Sequence, residues 1–186
     1  MVGLIVTLAI IALPVVFLIT IYNGLVSIRN HIKDAWANID TELKRRYDLI
    51  PNLVETAKGY AKHESETLEK VIALRNQCQA NNGSPSQQAT TEKLLASSIG
   101  GLFALAENYP DLKADKNFMQ LQQELTNTED RIQSARRFYN GNVRDYRNKA
   151  QPFPGKIVAN MFGFPPEAEE FFEVVPVERE PVNVQF

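Results

Sequence analysis

The sequence predicts an all-α protein with an amino-terminal transmembrane helix, an elongated antiparallel bundle of three to four long helices and an extended carboxyl-terminal tail. Residues 4–22 are almost wholly apolar, apolar side chains in residues 28–61 recur in steps of three and four, and residues 118–146 repeat in heptads. These are helical periods, and no stretch alternates like a half-buried strand. The predicted divisions are an anchor at 1–27, a helical-bundle domain at 28–151 and a tail at 152–186.

The first predicted element is a single membrane span. No charged side chain precedes Arg29, and about 20 apolar residues match the roughly 30 Å of bilayer hydrocarbon. A cleaved signal peptide is the alternative, but the segment lacks a basic start and no A-x-A-like cleavage site follows it. We interpret it as a retained anchor with Tyr22 at the interface. Its residues are Leu4, Ile5, Leu8, Ile11, Leu13, Val16, Phe17, Ile19 and Tyr22.

Charge asymmetry predicts the orientation of this anchor. Arg29 and Lys33 follow the span closely, and no lysine or arginine precedes it. The positive-inside bias then places the domain in the cytoplasm and the amino terminus outside. The predicted topology is therefore a single pass.

The second element is a long helix over residues 28–61. Pro51 does not change the phase of its apolar stripe, so the proline is expected to bend the helix without ending it. Pro51 also leaves the carbonyl of Tyr47 without its helical donor, which requires a polar partner nearby. Between the anchor and residue 28, Gly24 is the one residue with low helix propensity, so one continuous helix is predicted. The stripe consists of Ile28, Ile32, Trp36, Ile39, Leu43, Tyr47, Ile50, Val54, Ala57 and Ala61.

Two further helices are predicted to cover this one. A helix extends or restarts within residues 59–79, and a polar loop at 80–88 leads to a helix over 88–108 that ends before Pro110. A heptad-patterned helix starts at residues 115–118 and ends near Ala150, which is typical of near-antiparallel packing or a coiled coil. The inward residues predicted for helix 88–108 are Leu94, Leu95, Ile99, Leu102, Phe103 and Ala106. Those of the heptad are Phe118, Leu125, Ile132, Tyr139 and Tyr146, with Leu121, Thr128, Ala135 and Asn142.

Composition and motifs favour no enzymatic chemistry. The formal net charge of −2 and the absence of an arginine-rich patch give no case for nucleic acid. Cys78 is the only cysteine, and the histidine that HExxH requires after His63 is replaced by Thr67. No nucleophile–base pair and no cofactor site are apparent, so we expect neither an enzyme nor a cofactor.

The polar residues beside Pro51 leave two interpretations open. Arg45, Arg46 and Asp48 are placed on the polar face of the helix, and Asn52 follows Asp48 by four residues. They are expected either to satisfy one another and the kinked backbone, or to form a charged ligand site.

The tail changes character after Gln151. Residues 152–166 are apolar and broken by prolines, while residues 167–186 hold six glutamates against one arginine. Residues 152–166 are expected to form one small apolar turn. Residues 167–186 are expected to be either disordered or an extended strap along the bundle or a neighbouring subunit. The candidate oligomer contacts are Phe162, Phe164, Phe171 and Phe172.

Several strings resemble the LemA family of bacterial membrane proteins. They are WANIDTELKRRYDLIPNLVETAKGYAKHE, LFALAENYPDLKADKNFMQLQQEL, TEDRIQSARRFYN and the FP…MFGF…FFE tail. The resemblance covers nearly the whole chain, although the tail is longer than expected. It implies one span in the bacterial cytoplasmic (inner) membrane, a helical bundle in the cytoplasm and no known reaction. Some relatives in magnetosome-forming bacteria are tied to internal-membrane formation. The implied signature positions, without an assigned role, are Arg45, Arg46, Tyr47, Asp48, Pro51, Asn52, Asn108, Tyr109 and Pro110.

Two functional hypotheses follow. The first is a non-enzymatic scaffold that self-assembles at the membrane and organises or shapes it, with the lipid bilayer, further copies of the chain and other membrane or cytoplasmic proteins as partners. The alternative is a ligand sensor or enzyme with a polar site at the Arg45–Asp48–Asn52 bend.

Overall fold

A computed structural model describes residues 1–173, with the side chains of residues 4–9 and 11 excepted. These residues form six α-helices and one 3₁₀ turn, and no strand occurs among them. The all-α prediction is confirmed, with four helices of 16 residues or more. The bounds are α1 Val2–Tyr60, α2 Ser65–Ala80, α3 Pro85–Ala106, α4 Pro110–Lys113, α5 Lys116–Ala150, α6 Gly155–Phe162 and the 3₁₀ turn Pro166–Ala168.

Helix α1 is continuous over 59 residues and passes through both Gly24 and Pro51. The predicted continuity of anchor and domain is therefore confirmed. The predicted apolar stripe is buried along the helix except at Ile28 and Trp36, which are half-buried. A step of three to four residues keeps these side chains on one face, so burial follows the helical period.

The described chain divides into two compact units, and α1 and α5 contribute to both. The first unit comprises Met1–Glu42 and Arg131–Phe171, and the second comprises Leu43–Asp130 with the residues from Phe172 onward. The boundaries predicted for the anchor, bundle domain and tail stay a prediction.

In the first unit, α1 and α5 run antiparallel. The rings of Trp36 and Tyr139 lie 5.3 Å apart in an edge-to-face pair. Lys149, ten residues beyond Tyr139, lies beside Gly24, where a Cβ atom would come within 1.8 Å of Lys149 Nζ. As residue numbers rise along α5 they fall along α1, which defines the antiparallel arrangement.

In the second unit, α2 packs against α3 across a short loop. Helix α3 begins at Pro85, three residues before the predicted start, because proline fits the first turn of a helix where no backbone donor is needed. The Gln87 side chain accepts a hydrogen bond from Ser84 N–H at 3.1 Å and fixes this start. The inward prediction for Leu94 was wrong, since its side chain is 51% exposed. It lies one position before buried Leu95, outside the α3 face that packs inward.

The short helix α4 and the start of α5 are held by side-chain hydrogen bonds. Tyr109 donates to Glu64 at 3.0 Å, and Tyr60 donates to Asp115 at 3.0 Å. Asp115 also accepts the Phe118 N–H at 2.9 Å, which lowers the pKa of its carboxyl below the usual value. This contact caps the first turn of α5. All five residues of the first heptad position are buried along α5, as predicted.

Candidate functional site

The largest polar cluster buried in the second unit surrounds Arg46. This side chain is only 3% exposed, so its assignment to the polar face of the helix was wrong. It follows Leu43 by three residues and precedes Ile50 by four, which places it on the apolar stripe. Its Nη1 lies 3.4 Å from Oε2 of Glu92 on α3, and its Nη2 lies 3.1 Å from Oε2 of Glu129 on α5. Arg46 therefore links three helices.

Tyr47 and Cys78 complete the surroundings of Glu92. The Tyr47 hydroxyl donates to Glu92 Oε1, and burial together with this bond raises the pKa of Tyr47 far above its usual value. Burial also raises the pKa of Glu92, although the Arg46 charge opposes the shift. Burial and the neighbouring Glu92 raise the pKa of the Cys78 thiol to about 12. A thiol with that pKa stays protonated near neutral pH and is a poor nucleophile.

A cavity of about 190 Å³ opens beside this cluster within the second unit. The Arg46 Nε atom, which is buried, has no hydrogen-bond partner among the described residues. One cation and two acidic groups share the wall, so the cavity has no net preference for an anion. Its lining residues are Arg46, Ala96, Ile99, Gly100, Phe103, Leu125, Thr126, Glu129 and Asp130.

The carbonyl of Tyr47 has a donor from outside its own helix. Pro51 has no N–H to offer this oxygen. Arg75 of α2 donates through Nε to it at 3.1 Å. The predicted polar partner at the proline is therefore present, and it comes from a different helix. This bond lets a proline sit inside α1 without an unpaired carbonyl.

The residues of the predicted ligand site at the bend lie on the surface. Arg45, Asp48 and Asn52 are all exposed. The nearby groove of about 530 Å³ that Pro51 lines includes none of the three. At the other signature string, Asn108 is exposed, Tyr109 is half-buried and Pro110 opens α4. The signature residues thus fall into two classes, the buried pair Arg46 and Tyr47 and a set at helix ends or on the surface.

The anchor residues whose side chains are described face outward. Exposed fractions are 71% for Leu13, 60% for Val16 and 54% for Phe17. Ile19 and Tyr22 are also exposed, whereas the side chains of Leu4, Ile5, Leu8 and Ile11 lie outside the described set. Among the described residues, one helix is long and apolar enough to cross a membrane, and almost none of its most apolar part is buried.

Of the two basic residues that follow the span, Lys33 is exposed, whereas Arg29 is half-buried and contacts the tail. Arg29 Nε donates to Glu169 Oε1 at 3.2 Å, and its guanidinium lies 5.5 Å from the centre of the Phe164 ring. Both contacts lie within the first unit. The tail therefore reaches the segment of α1 that directly follows the anchor.

The described part of the tail folds back on the first unit. Tyr146 donates to the Pro165 carbonyl at 3.1 Å, and Tyr139 donates to the Glu170 carbonyl at 2.9 Å. Arg147 donates to the Glu169 carbonyl at 2.7 Å and stacks on the Phe171 ring. Within the segment for which a strap was predicted, residues 167–171 lie along the first unit, and the apolar turn expected before it is helix α6. The prediction for residues 174–186 lies outside the described residues.

This packing limits the candidate oligomer contacts. Phe164 and Phe172 are buried within the chain, and Phe171 is half-buried against Arg147. Phe162 keeps half of its surface exposed and contacts Tyr22 at a ring separation of 5.0 Å. As oligomer contacts, all four stay a prediction.

Comparison with known proteins identifies the family of this chain. The model of the LemA family matches residues 35–186, which is most of the chain. The chain belongs to the LemA family. The matched region starts at Ala35 and includes the whole Arg46 cluster, the second signature string and the tail.

Relatives of this LemA family member include a LemA protein and magnetosome proteins. It is 29% identical to Protein LemA of Metamycoplasma hominis over 74% of the chain and 63% of that relative. It is 23% identical to the magnetosome protein MamQ of Magnetospirillum gryphiswaldense over 87% of the chain and 68% of that relative. Magnetosome protein MamQ 2 of Paramagnetospirillum magneticum matches to the same extent. The chain thus spans about two thirds of the length of these relatives.

Three charged residues in or beside the Arg46 cluster were not predicted from the sequence. Glu92 lies on α3, Glu129 on α5 and Arg75 on α2. One signal was available for Glu92, which precedes Leu95 by three residues and Ile99 by seven on the inward face of α3. Arg75 shows the same spacing, since it follows Val71 by four residues and precedes Cys78 by three. Glu129 does so too, since it follows Leu125 by four residues and precedes Ile132 by three. None of these spacings identifies the partner on another helix.

Proposed function

We propose that this LemA family member is a non-enzymatic scaffold, anchored in the bacterial cytoplasmic membrane, that self-assembles there and organises or shapes the bilayer. One observation carries the proposal. The exposed apolar segment of α1 belongs to the same uninterrupted helix as the framework of the packed domain. Whatever holds the anchor in place thereby also holds the part of α1 that packs in the first unit.

The exposed apolar face of this segment favours a bilayer as its surroundings. Burial of apolar surface is worth about 25 cal/mol per Å², so a run of exposed Leu13, Val16, Phe17 and Ile19 is unfavourable in water. Contact with hydrocarbon is favourable for the same side chains, and a helix satisfies the hydrogen bonds of its backbone groups internally. The similarity to magnetosome proteins agrees with a role at a membrane.

The polar cluster favours a structural role over a catalytic one. Arg46, Glu92 and Tyr47 bind one another in a buried setting. Among the described residues, no three metal-binding side chains converge. Buried ion pairs of this kind can select one arrangement of packed helices. We therefore assign the cluster to the register of α1, α3 and α5.

The proposed orientation rests on Arg29 and Lys33, because the positive-inside bias favours a cytoplasmic domain after such a flank. A test uses Asn82→Cys in the exposed loop between α2 and α3. In spheroplasts, a membrane-impermeant thiol reagent is expected to label this cysteine only after lysis, and alkaline carbonate is expected to leave the protein in the membrane pellet. The parent chain is the matched control, because its buried Cys78 thiol with a pKa of about 12 is expected not to react.

Two results contradict the proposal. Labelling of Asn82→Cys in intact spheroplasts reverses the orientation and removes the cytoplasmic assignment. Release of the parent chain by carbonate shows that α1 does not span the bilayer.

A further inference from the structure

Helix α6 lies level with the end of the anchor. At its carboxyl end, the Phe162 ring lies 5.0 Å from the ring of Tyr22, the last residue of the apolar run. At its amino end, Gly155 packs so closely on α5 that a Cβ atom there would lie 1.9 Å from the Lys149 carbonyl oxygen. The Lys149 side chain in turn lies against Gly24. The carboxyl end of α6 is thus held beside Tyr22 of α1, and its amino end is held against the α5 backbone at Lys149.

The surface of α6 has three sectors. The positions are 100° apart, so Gly155, Val158 and Ala159 form one side, and this side is buried. Lys156 and Asn160 form a polar exposed side. Ile157 and Met161 form a third side, which is apolar and exposed by 51% and 65%. The core of the first unit accounts for the first sector but leaves the third uncovered.

The exposed apolar surface continues beyond the helix. Phe153, four residues before Ile157, is 82% exposed, and Phe162 is 51% exposed. Four large apolar side chains within ten residues thus lie open beside the end of an exposed apolar helix. An open apolar patch of this kind usually marks an interaction site.

We infer that Phe153 and α6 form a second membrane contact, an interfacial helix whose Ile157–Met161 side is immersed in the boundary between headgroups and acyl chains. The inference rests on the proposed anchor but not on self-assembly. The lipid surface is chosen over a protein partner because the patch is continuous with the anchor surface at Tyr22.

The charges around α6 suit such a position. Lys156 lies on the polar side of the helix, and Lys149 lies at the Gly24 level of α1. Lysines beside an apolar face are typical of interfacial helices, where they reach anionic headgroups. The charge of the acidic Glu169 is compensated by its ion pair with Arg29.

A depth measurement on the full chain tests the inference. Single cysteines are introduced in a Cys78→Ala background, labelled with a nitroxide and reconstituted into vesicles of phosphatidylcholine and phosphatidylglycerol. Collision of the label with oxygen, which concentrates in lipid, is compared with collision with a water-soluble nickel chelate. The positions are Ile157→Cys on the apolar side, Met161→Cys as its independent repeat, Asn160→Cys as the matched control on the polar side, and Val16→Cys as the reference inside the anchor.

The expected result is an oxygen-to-nickel ratio at 157 and 161 that approaches the ratio at 16 and exceeds the ratio at 160 severalfold. Equal ratios at 157, 161 and 160, with a high ratio at 16, overturn the interfacial helix and leave the anchor intact. Labels at 157 and 161 that neither reagent reaches also overturn it, because a protein surface then covers the patch. A low ratio at 16 overturns the anchor and the inference together. Circular dichroism of each labelled protein verifies that the helices are retained.

Discussion

At the scale of single residues, the buried position of Arg46 is the fact that most changes the interpretation of the sequence. Arg45 and Arg46 are adjacent and chemically identical, yet one is exposed and the other is 3% exposed. The phase of the apolar stripe distinguishes them, because only Arg46 lies on the face that carries Leu43 and Ile50. Its partners on α3 and α5 depend on packing between helices, which no local pattern encodes.

The ion pair predicts a pH-dependent defect in Arg46→Met. Removal of one member of a buried pair typically costs about 3–5 kcal/mol, since the other charge is left without compensation. Burial already raises the pKa of Glu92, and loss of Arg46 raises it further. A carboxyl whose folded pKa is raised stabilises the fold below its unfolded pKa and loses that contribution as pH rises through the folded pKa. The deficit in unfolding free energy is therefore expected to be larger at pH 8 than at pH 5.

The measurement is chemical unfolding of the full chain in mild detergent, followed by circular dichroism. Arg45→Met is the matched control, and its expected change lies within about 0.5 kcal/mol because the site is exposed. The double variant Arg46→Met/Glu92→Gln is expected to lose the pH dependence. Equal effects of the two arginine substitutions would contradict a buried ion pair.

At the scale of elements, periodicity predicted the helices and their buried faces, but it did not predict which residues pack against each other. The path of α1 through Pro51 follows from the unbroken stripe, and the need for a donor to the Tyr47 carbonyl follows from the missing N–H of proline. The identity of that donor, Arg75, required the position of α2 against α1. Similarly, heptads predicted the buried face of α5, while the placement of α6 depended on the close contact at Gly155.

A double-mutant cycle tests the contact between Arg75 and the Tyr47 carbonyl. Arg75→Met alone is expected to destabilise the fold by about 1–2 kcal/mol, because it leaves the carbonyl without a donor. Pro51→Ala alone is expected to leave the domain folded, since alanine supplies the helical N–H. In the Pro51→Ala background, Arg75→Met is expected to cost clearly less, and thermal unfolding of the four proteins measures this coupling. Additive effects would show that Arg75 acts elsewhere.

At the scale of the whole molecule, the anchor, the helical fold and the family were accessible from sequence, because hydropathy and helical periods are properties of the chain itself. The division into two compact units was not, since α1 and α5 run through both without a break in their patterns. The tail shows the same limit. Its acidic, proline-interrupted composition left a strap and disorder open, and hydrogen bonds from Tyr139, Tyr146 and Arg147 show its described part folded back on the first unit.

Self-assembly is expected to depend on the end of the tail. The exposed apolar patch of residues 153–162 is assigned above to the lipid surface, so we expect the contact between copies further along the chain. Residues 174–186 contain five valines, Val174, Val175, Val177, Val182 and Val184. Anchored copies share one orientation in the membrane, so weak contacts between them act together. We therefore expect the full chain in mild detergent to form particles of several copies, measured by light scattering coupled to size exclusion.

Two variants locate the contact. Truncation after Glu173 keeps every described tail contact and is expected to shift the particle toward single-chain mass. Replacement of the five valines by serine is the matched control for length and charge, and it is expected to give the same shift, since the apolar side chains and not the chain length drive the association. A truncated protein that still assembles places the contact on another surface. A full chain of single-copy mass rejects self-assembly, while the anchor and the interfacial helix stand on their own measurements.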